Sequence, residues 1–365
     1  MRPKAVHLFA GLALMALAGA ACSTKAGGST NDAFRGAVLS GAGSTFAAPL
    51  YDSWSKQFKQ SLESGADISY AAVGSGAGIN QITAKTVDFG ASDAPLKASD
   101  EAAAPNLLQF PTALGAVVLA YNVPNVPTEL KLTPGAIAGI FLGHIKMWDD
   151  AAIKGPNPGV SLPHKPISVV HRTDSSGTTY AFTNYLSVIS SEWKNNPDLG
   201  TSKSVTWPSS FLGGNGNAGV AQKVSQTQYS IGYIELAYAL TNNITYADVQ
   251  GPGGDFVKPS IQSVSAAGAS LQFPITPTTS IVNSSAPGAY PISTPTYMLI
   301  YKDQTNKDKA QTIVDWVEWS LHKGTSLTTQ LNYAPIPSAI ISQIDTLLGQ
   351  VNVGGTAITP SSGVM

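Results

Sequence analysis

Turns made of glycine and hydroxyl residues recur at three places in this chain, each between an apolar strand pattern and a helical pattern. They occupy residues 43–46, 74–76 and 175–178. Strands that alternate with helices form right-handed βαβ units around a mainly parallel sheet. The recurrence therefore predicts an α/β fold, with the three turns at the carboxyl edge of the strands, where open α/β sheets bind ligands.

Length and composition limit the kinds of protein that the chain can be. Its 365 residues exceed what one ordinary hydrophobic core holds, so we expect two lobes or domains. Hydrophobic residues make up 43% and charged residues 12%, which indicates a folded chain rather than a disordered one. The net charge of −1, with basic residues scattered along the chain, excludes the basic surface that nucleic-acid binding requires.

The chemistry of the three turns favours a small anion. The start of a helix exposes backbone N–H groups without acceptors and carries a partial positive charge. Glycine lets these N–H groups approach a ligand closely, and hydroxyls add donors that carry no charge. For each turn alone, a simple helix N-cap is the better explanation. Three such turns in one chain, one of them next to an arginine, predict an oxyanion as the ligand.

Charged residues lie beside two of these turns. Arg172 and Asp174 are two residues apart at a strand end, so both can face the same side. The guanidinium fork of Arg172 can hold an oxyanion while Asp174 orients it, although a purely structural ion pair explains this spacing equally well. Asp93 also ends a strand, where its alternative role is a turn or cap residue. A carboxylate beside an anion is tolerated when the anion brings a proton, so Asp93 would select phosphate over sulfate.

Searches for other kinds of site are negative. Residues 214–219 match G-x-G-x-x-G, but the sequence shows no clear preceding strand, so we interpret them as a helix-capping turn. The histidines, at positions 7, 144, 164, 171 and 322, lack a paired spacing, and we predict no metal site and no cofactor. A secreted serine-dependent phosphoester hydrolase is the main alternative. Strand alternation directs His171 away from Arg172, which makes it a poor base for Ser176.

The N-terminus predicts export. Basic residues, an apolar run over residues 5–17 and small residues precede Cys22, which predicts a signal peptide over residues 1–21, with an uncleaved membrane anchor as the alternative. Cys22 is the only cysteine, which excludes an internal disulfide. Its position predicts lipidation, with ordinary signal cleavage as the alternative. Residues 22–36 would then form a flexible tether to the membrane surface.

Five ordered stretches resemble one known family. They comprise residues 41–51 (GAGSTFAAPLY), 87–96 (VDFGASDAPL), 143–150 (GHIKMWDD), 172–178 (RTDSSGT) and 229–235 (YSIGYIE). Together they are similar to the phosphate-binding proteins of bacterial ABC phosphate importers, over residues 39–348. Two positions depart from the family pattern: Ser44 replaces its usual alanine, and Ala77 interrupts the second glycine run. Separately, Gly19 stands where lipoprotein signals prefer an aliphatic residue.

The resemblance implies a two-lobed periplasmic-binding-protein fold of type II, in which two chain crossings connect the lobes. We expect residues 37–122 and 291–365 in one lobe and residues 123–290 in the other. The family is not enzymatic, and the resemblance implies a monomer that captures inorganic phosphate and delivers it to the membrane permease of an ABC importer. The protein would act at the outer face of the cytoplasmic membrane as a lipoprotein, or in the periplasm.

The family's motifs also imply which residues bind phosphate. The set is Thr45, Phe46, Ser75, Asp93, Arg172, Ser176, Gly177 and Thr178. Thr45, Phe46 and Ser75 would donate from backbone N–H groups or hydroxyls, and Asp93 would accept the phosphate proton. Arg172, held by Asp174, would donate to the phosphate beside the helix N-terminus. Another oxyanion or a phosphorylated metabolite is the alternative ligand for the same fold.

Overall fold

The computed structural model describes residues 36–126 and 129–365. The predicted signal peptide, Cys22 and the predicted tether up to residue 35 lie outside the described residues. Within the described part of the chain, no helix is both long enough and apolar enough to cross a membrane.

The order of strands and helices follows the alternation expected from the sequence. The strands are β1 (Val38–Gly43), β2 (Asp67–Ala72), β3 (Phe89–Ser92), β4 (Leu107–Asn122), β5 (Lys131–Leu132), β6 (Ser168–Arg172), β7 (Leu212–Gly214), β8 (Ser230–Glu235), β9 (Thr245–Tyr246), β10 (Asp248–Gln250), β11 (Phe256–Val257), β12 (Ser293–Tyr301), β13 (Asp303–Gln304), β14 (Asn352–Val353) and β15 (Thr356–Ala357). The helices are α1 (Ala48–Ser61), α2 (Ser75–Thr83), α3 (Ala98–Ala103), α4 (Pro134–Phe141), α5 (Ala151–Lys154), α6 (Gly177–Ile189), α7 (Ser191–Asn195), α8 (Gly216–Gln226), α9 (Leu236–Thr241), α10 (Ile261–Gly268), α11 (Lys307–His322), α12 (Thr325–Gln330) and α13 (Ser338–Leu348).

The main sheet of the described residues has the strand order β2-β1-β3-β12-β4-β8-β6-β7, with β9 paired to β4. We call the part built on β1, β2, β3 and β12 the first lobe, and the part built on β6, β7 and β8 the second lobe. Strands β1, β2 and β3 are parallel, and so are β6, β7 and β8. Strands β4 and β12 run antiparallel to their neighbours. The prediction of a mainly parallel sheet therefore holds for three strands of each lobe, because β4 and β12 connect the lobes instead of closing βαβ units.

The 16-residue strand β4 belongs to both lobes. Its residues up to Ala116 pair with β12, and Val117 to Asn122 pair with β8. The second connection lies beside it, since Ser293 pairs with Ala116 and the Val117 N–H donates to Ile292 O at 2.8 Å. The predicted lobe boundaries near residues 122 and 291 stay a prediction, and this pairing favours placing the first of them at 116/117.

Aromatic residues form the core on each side of this junction. In the first lobe, Tyr51 on α1 stacks on Trp54 and contacts Trp316 of α11 edge-on, with ring centroids 5.8 and 5.7 Å apart. In the second lobe, Phe182 of α6 stacks on Tyr233 of β8 at 4.5 Å. These contacts fix α1 and α6 against their sheets, and so fix the turns that precede the two helices.

Residues 251–296 are rich in Gly, Ser, Thr and Pro, a composition that predicts mostly irregular structure, and this prediction is wrong in part. Helix α10 lies there and begins with a capping box, in which Ser260 and Ser263 each accept from the other's backbone N–H. The small residues of its eight-residue span give no strong helical spacing of large apolar side chains, which explains why the pattern did not predict it.

Candidate functional site

The first of the three predicted turns connects β1 to α1. Gly43 has a φ of 149°, and a Cβ there would lie 2.1 Å from Ala91 O, so only glycine fits between β1 and β3. Thr45 Oγ1 accepts from the backbone N–H of Asn217, at 3.1 Å, in the second lobe. The Phe46 N–H donates to Ser44 Oγ at 2.9 Å. The turn thus presents the Thr45 hydroxyl to the opposite lobe.

The second turn connects β2 to α2 and also contacts the opposite lobe. Ser75 Oγ accepts from the backbone N–H groups of Asp93, at 3.2 Å, and of Gly177, at 3.0 Å. A Cβ on Gly74 would lie 2.4 Å from Asp174 Oδ2, and one on Gly76 would lie 2.2 Å from Ser175 Oγ. The glycines of this turn are therefore what allows the two lobes to approach so closely.

The third turn connects β6 to α6, and the cation of the site, Arg172, is the last residue of β6. Arg172 donates from Nε to Asp174 Oδ1 at 2.7 Å, from Nη2 to Asp174 Oδ2 at 2.5 Å, and from Nη1 to Thr178 Oγ1 at 3.1 Å. Burial raises the pKa of Asp174, but the hydrogen bonds and charge of Arg172 outweigh it and hold this pKa below its ordinary value. Ser176 is the N-cap of α6, because its Oγ accepts from the Thr179 N–H at 3.0 Å.

Asp93 lies at the end of β3 and faces the start of α6. Its Oδ1 accepts from the Thr296 hydroxyl at 2.8 Å, whereas its Oδ2 is buried and has no hydrogen-bond partner. A Cβ on Gly177 would lie 2.5 Å from this Oδ2. Burial raises the pKa of Asp93 to about 6, although the nearby hydroxyls of Ser44 and Thr296 and the charge of Arg172 act in the opposite direction.

All eight residues that the resemblance implied are buried and converge on one boundary between the lobes. Thr45, Phe46, Ser75 and Asp93 come from the first lobe, and Arg172, Ser176, Gly177 and Thr178 come from the second. Contacts across the boundary connect the two groups, such as that of Ser75 with Gly177. The site combines one guanidinium, one carboxylate with an unpartnered oxygen, and several neutral donors.

Comparisons with known proteins show the family of the chain. A model described as PBP superfamily domain matches residues 23–322. The phosphate-binding protein PstS of Pasteurella multocida is 41% identical over 310 residues, which cover 84% of this chain and 88% of the relative. The chain belongs to the phosphate-binding protein family of this superfamily. The PstS protein of Xylella fastidiosa strain 9a5c is 42% identical over 310 residues, which cover 84% of each chain.

The fold of this family member also matches solved structures. The phosphate-binding protein from Stenotrophomonas maltophilia superposes with a TM-score of 0.65 at 21% identity, covering 84% of this chain and 93% of that one. The predictions of the family and of the two-lobed periplasmic-binding-protein fold are thereby confirmed.

Asn217 is a residue of this site that the sequence did not reveal. It is fully buried, and its Nδ2 donates to Thr45 Oγ1 at 3.0 Å and to Thr178 Oγ1 at 3.1 Å. It lies inside the G-x-G-x-x-G match, where α8 begins at Gly216 as expected for a capping turn. The statement that no strand precedes this motif is wrong, because β7 ends at Gly214. A three-residue Leu-Gly-Gly strand is too short and too rich in glycine to show a strand pattern.

Glu235 is a second residue beside the site that the sequence did not reveal. It is the N-cap of α9, where its Oε2 accepts from the Ala237 N–H at 2.8 Å, while its buried Oε1 has no hydrogen-bond partner. Burial raises the pKa of Glu235 to about 8, and the charge of Asp93 adds to this rise. Glu235 therefore holds the end of β8 beside the site, and its N–H donates to Asn217 Oδ1 at 3.0 Å.

His171 is engaged elsewhere, as strand alternation predicts. Its Nδ1 lies 2.9 Å from the carbonyl oxygen of Arg172, and its ring stacks on Trp207 with centroids 5.4 Å apart. Burial lowers the pKa of His171. These contacts orient the imidazole toward Trp207. They do not place His171 as a base for Ser176.

Proposed function

We propose that this protein captures inorganic phosphate between its lobes outside the cytoplasmic membrane and delivers it to the permease of an ABC importer. The observation that supports this most directly is the unpartnered Oδ2 of Asp93, buried in a site that also contains Arg172. A buried carboxylate excludes a fully ionised anion but accepts a hydrogen bond from one that keeps a proton. Phosphate keeps a proton near neutral pH, and sulfate does not.

The proposed binding set is the one implied by the family motifs. Arg172 supplies positive charge and is held in place by both carboxylate oxygens of Asp174. The start of α6, at Ser176, Gly177 and Thr178, supplies N–H groups and a partial positive charge. The hydroxyls of Thr45 and Ser75 and the N–H of Phe46 donate from the first lobe. In the structure several of these donors contact other protein groups, as the Gly177 N–H contacts Ser75 Oγ, and phosphate would exchange such contacts for its own oxygens. Asn217 donates to Thr45 Oγ1, so the Thr45 O–H stays free to donate to phosphate while that contact is kept.

Binding would be coupled to closure of the lobes. The contacts between Tyr238 Oη and Thr45 O, at 2.6 Å, and between Lys203 Nζ and Asp100 Oδ2, at 4.0 Å, also cross the boundary. A ligand that touches both lobes stabilises the closed form, because it makes its full set of contacts only there. The hinge would lie where β4 and the segment before β12 run side by side, near Val117 and Ile292.

The finer parts of the proposal concern location and assembly. The lipid anchor at Cys22, the signal peptide over residues 1–21 and the monomeric state rest on sequence pattern and family resemblance. We place the protein at the outer face of the cytoplasmic membrane or in the periplasm, acting as a binding protein and not as an enzyme. No nucleic-acid partner is proposed.

Calorimetric titration of phosphate and sulfate over a pH series tests the proposal. We expect one phosphate per chain, with sulfate weaker by roughly 10- to 100-fold near neutral pH, because sulfate brings no proton for the buried carboxylate of Asp93 to accept. Equal binding of the two anions, or no phosphate binding, would overturn the proposal. Sustained turnover of a chromogenic phosphate ester would instead favour the hydrolase alternative.

A further inference from the structure

Three side chains with metal-binding chemistry meet in the first lobe, on helices that contribute no residue to the anion site. Glu318 and His322 are four residues apart on α11 and therefore share one face of the helix. Asp345 faces them from α13. One donor atom from each of the three residues lies within 4.8 Å of the other two.

The distances within this cluster suit a coordinated cation. His322 Nε2 lies 3.4 Å from Glu318 Oε2 and 3.1 Å from Asp345 Oδ1. Two ligands at zinc-binding distance in tetrahedral geometry are roughly 3.4 Å apart. Small side-chain movements would thus place all three atoms around one ion.

Glu318 provides independent evidence that the cluster could accept a cation. Its side chain is 2% exposed, and its Oε2 is buried with no hydrogen bond. Among the described residues, His322 is the only basic side chain in an ion pair with Glu318 or Asp345. The adjacent Lys323 directs its ammonium group to Gly363 O instead. A buried carboxylate oxygen without a donor is costly, and a bound cation would remove that cost.

The position of the cluster favours a cation and gives it access. His322 is the last residue of α11, and Asp345 lies in the last turn of α13, so the negative ends of both helices are directed there. The side chains of His322 and Asp345 are 29% and 31% exposed, which leaves a route from solvent to the buried oxygen of Glu318.

We propose that Glu318, His322 and Asp345 form a site for a first-row divalent cation, with Zn²⁺ as the best match, and that the ion joins α11 to α13. The imidazole favours zinc over magnesium and calcium, whose preferred ligands are oxygens alone. Three protein ligands leave room for solvent to complete the coordination. The site uses no residue of the proposed phosphate site and is independent of that function.

Calorimetric titration of tag-free protein with ZnCl₂, in phosphate-free buffer treated with chelating resin, tests the proposal. We expect one Zn²⁺ per chain and a rise of the unfolding temperature with zinc concentration, because the ion binds the folded state. Titration with Co²⁺ should give the visible absorption bands of a low-symmetry site containing one nitrogen ligand. Zn²⁺ should displace the Co²⁺ and abolish these bands.

Variants separate the cluster from incidental surface binding. H322Q and D345N should each lower zinc affinity by at least about tenfold, since each removes a ligand. The matched control is H164Q, because His164 forms an exposed pair with the single carboxylate of Asp149 at 3.1 Å. H164Q should bind zinc like the wild type. Absence of one-to-one uptake by the wild type, or equal zinc affinity of H322Q and H164Q, would overturn the proposal.

Discussion

The two lobes contribute opposite charges to the candidate anion site. The second lobe supplies Arg172 and the positive end of α6, which attract any small oxyanion. The first lobe supplies hydroxyls and Asp93, whose unpartnered oxygen repels an anion that has no proton to share. The groups that attract an anion and the group that discriminates between anions therefore lie on different lobes. Only in the closed form do both contact the same ligand. Variants of each lobe should show this difference as separate effects on affinity and on selectivity.

The largest expected effect comes from Arg172 in the second lobe. R172Q removes the only arginine among the site residues and leaves Asp174, whose side chain is 12% exposed, without its ion-pair partner. Truncating one partner of a buried, hydrogen-bonded charge pair at a binding site costs about 2–5 kcal/mol of binding free energy, so loss of the guanidinium should lower phosphate and sulfate affinity by about 100-fold or more, with their ratio little changed. Calorimetric titration with both anions measures this.

R172K is the informative control for that variant, since lysine keeps the charge but loses the two-pronged contact with Asp174. Its phosphate affinity should lie between those of R172Q and the wild type. Phosphate binding by R172Q within threefold of the wild type would show that the second lobe does not supply the attraction.

Asp93 in the first lobe should change selectivity instead. D93N keeps an oxygen that can accept from Thr296 but has no charge to repel sulfate. The ratio of phosphate to sulfate affinity should fall by roughly 10- to 100-fold, the equivalent of about 1–3 kcal/mol for an unpaired buried polar group. The comparison variant is D174N, which should lower the affinity for both anions to a similar extent. An unchanged ratio of phosphate to sulfate affinity in D93N would show that Asp93 does not discriminate between the two anions.

The pH dependence of sulfate binding should report the same carboxyl. The pKa of Asp93 is raised above its ordinary 3.8 to about 6, so the charged form predominates above pH 6 and the neutral form below it. Sulfate keeps its charge throughout this range, whereas phosphate titrates. Sulfate affinity should therefore rise by roughly tenfold as the pH falls from 7 to 5. In D93N the same titration should be flat, and a flat profile in the wild type would contradict the assignment.

The smallest expected effect concerns a residue that connects the lobes. N217A removes hydrogen bonds to Thr45 and Thr178, each worth about 1 kcal/mol. Phosphate and sulfate affinity should fall together by roughly 5- to 30-fold, because closure loses contacts that do not depend on the anion. The matched control is N215A, since Asn215 is exposed and its side chain makes no capping hydrogen bond. N215A should bind like the wild type.

The sequence predicted most of the first and third turns because their chemistry is local. A glycine and hydroxyl turn between a strand and a helix is a short-range pattern, and the helices α1 and α6 begin within two residues of the positions that the pattern indicates. Asp93 could be proposed as a site residue from the sequence because it ends a recognisable strand. In these cases the neighbouring residues in the chain carry the information.

Other parts of the site depend on long-range geometry that no local pattern contains. Asn217 follows a strand too short to detect, and its importance comes from Thr45, 172 residues away. The sequence-based expectation of no metal site considered pairs of histidines, whereas the cluster proposed here has one histidine and an aspartate from another helix. The antiparallel direction of β4 likewise reflects its partners β12 and β8, and a continuous apolar run does not show strand direction.

The continuity of β4 through both lobes limits which insertions and deletions the fold tolerates. Side chains alternate strictly along a strand. Inserting or deleting one residue near Val117 would therefore move every β4 side chain on one side of the change to the opposite face of the sheet. Every residue from Phe110 to Tyr121 is buried, so either side of the insertion would lose its packing. The same change would rotate the second-lobe turns relative to Thr45 and Ser75. Length changes are therefore expected in the outer loops, while the spacing between the two lobes along β4 stays constant.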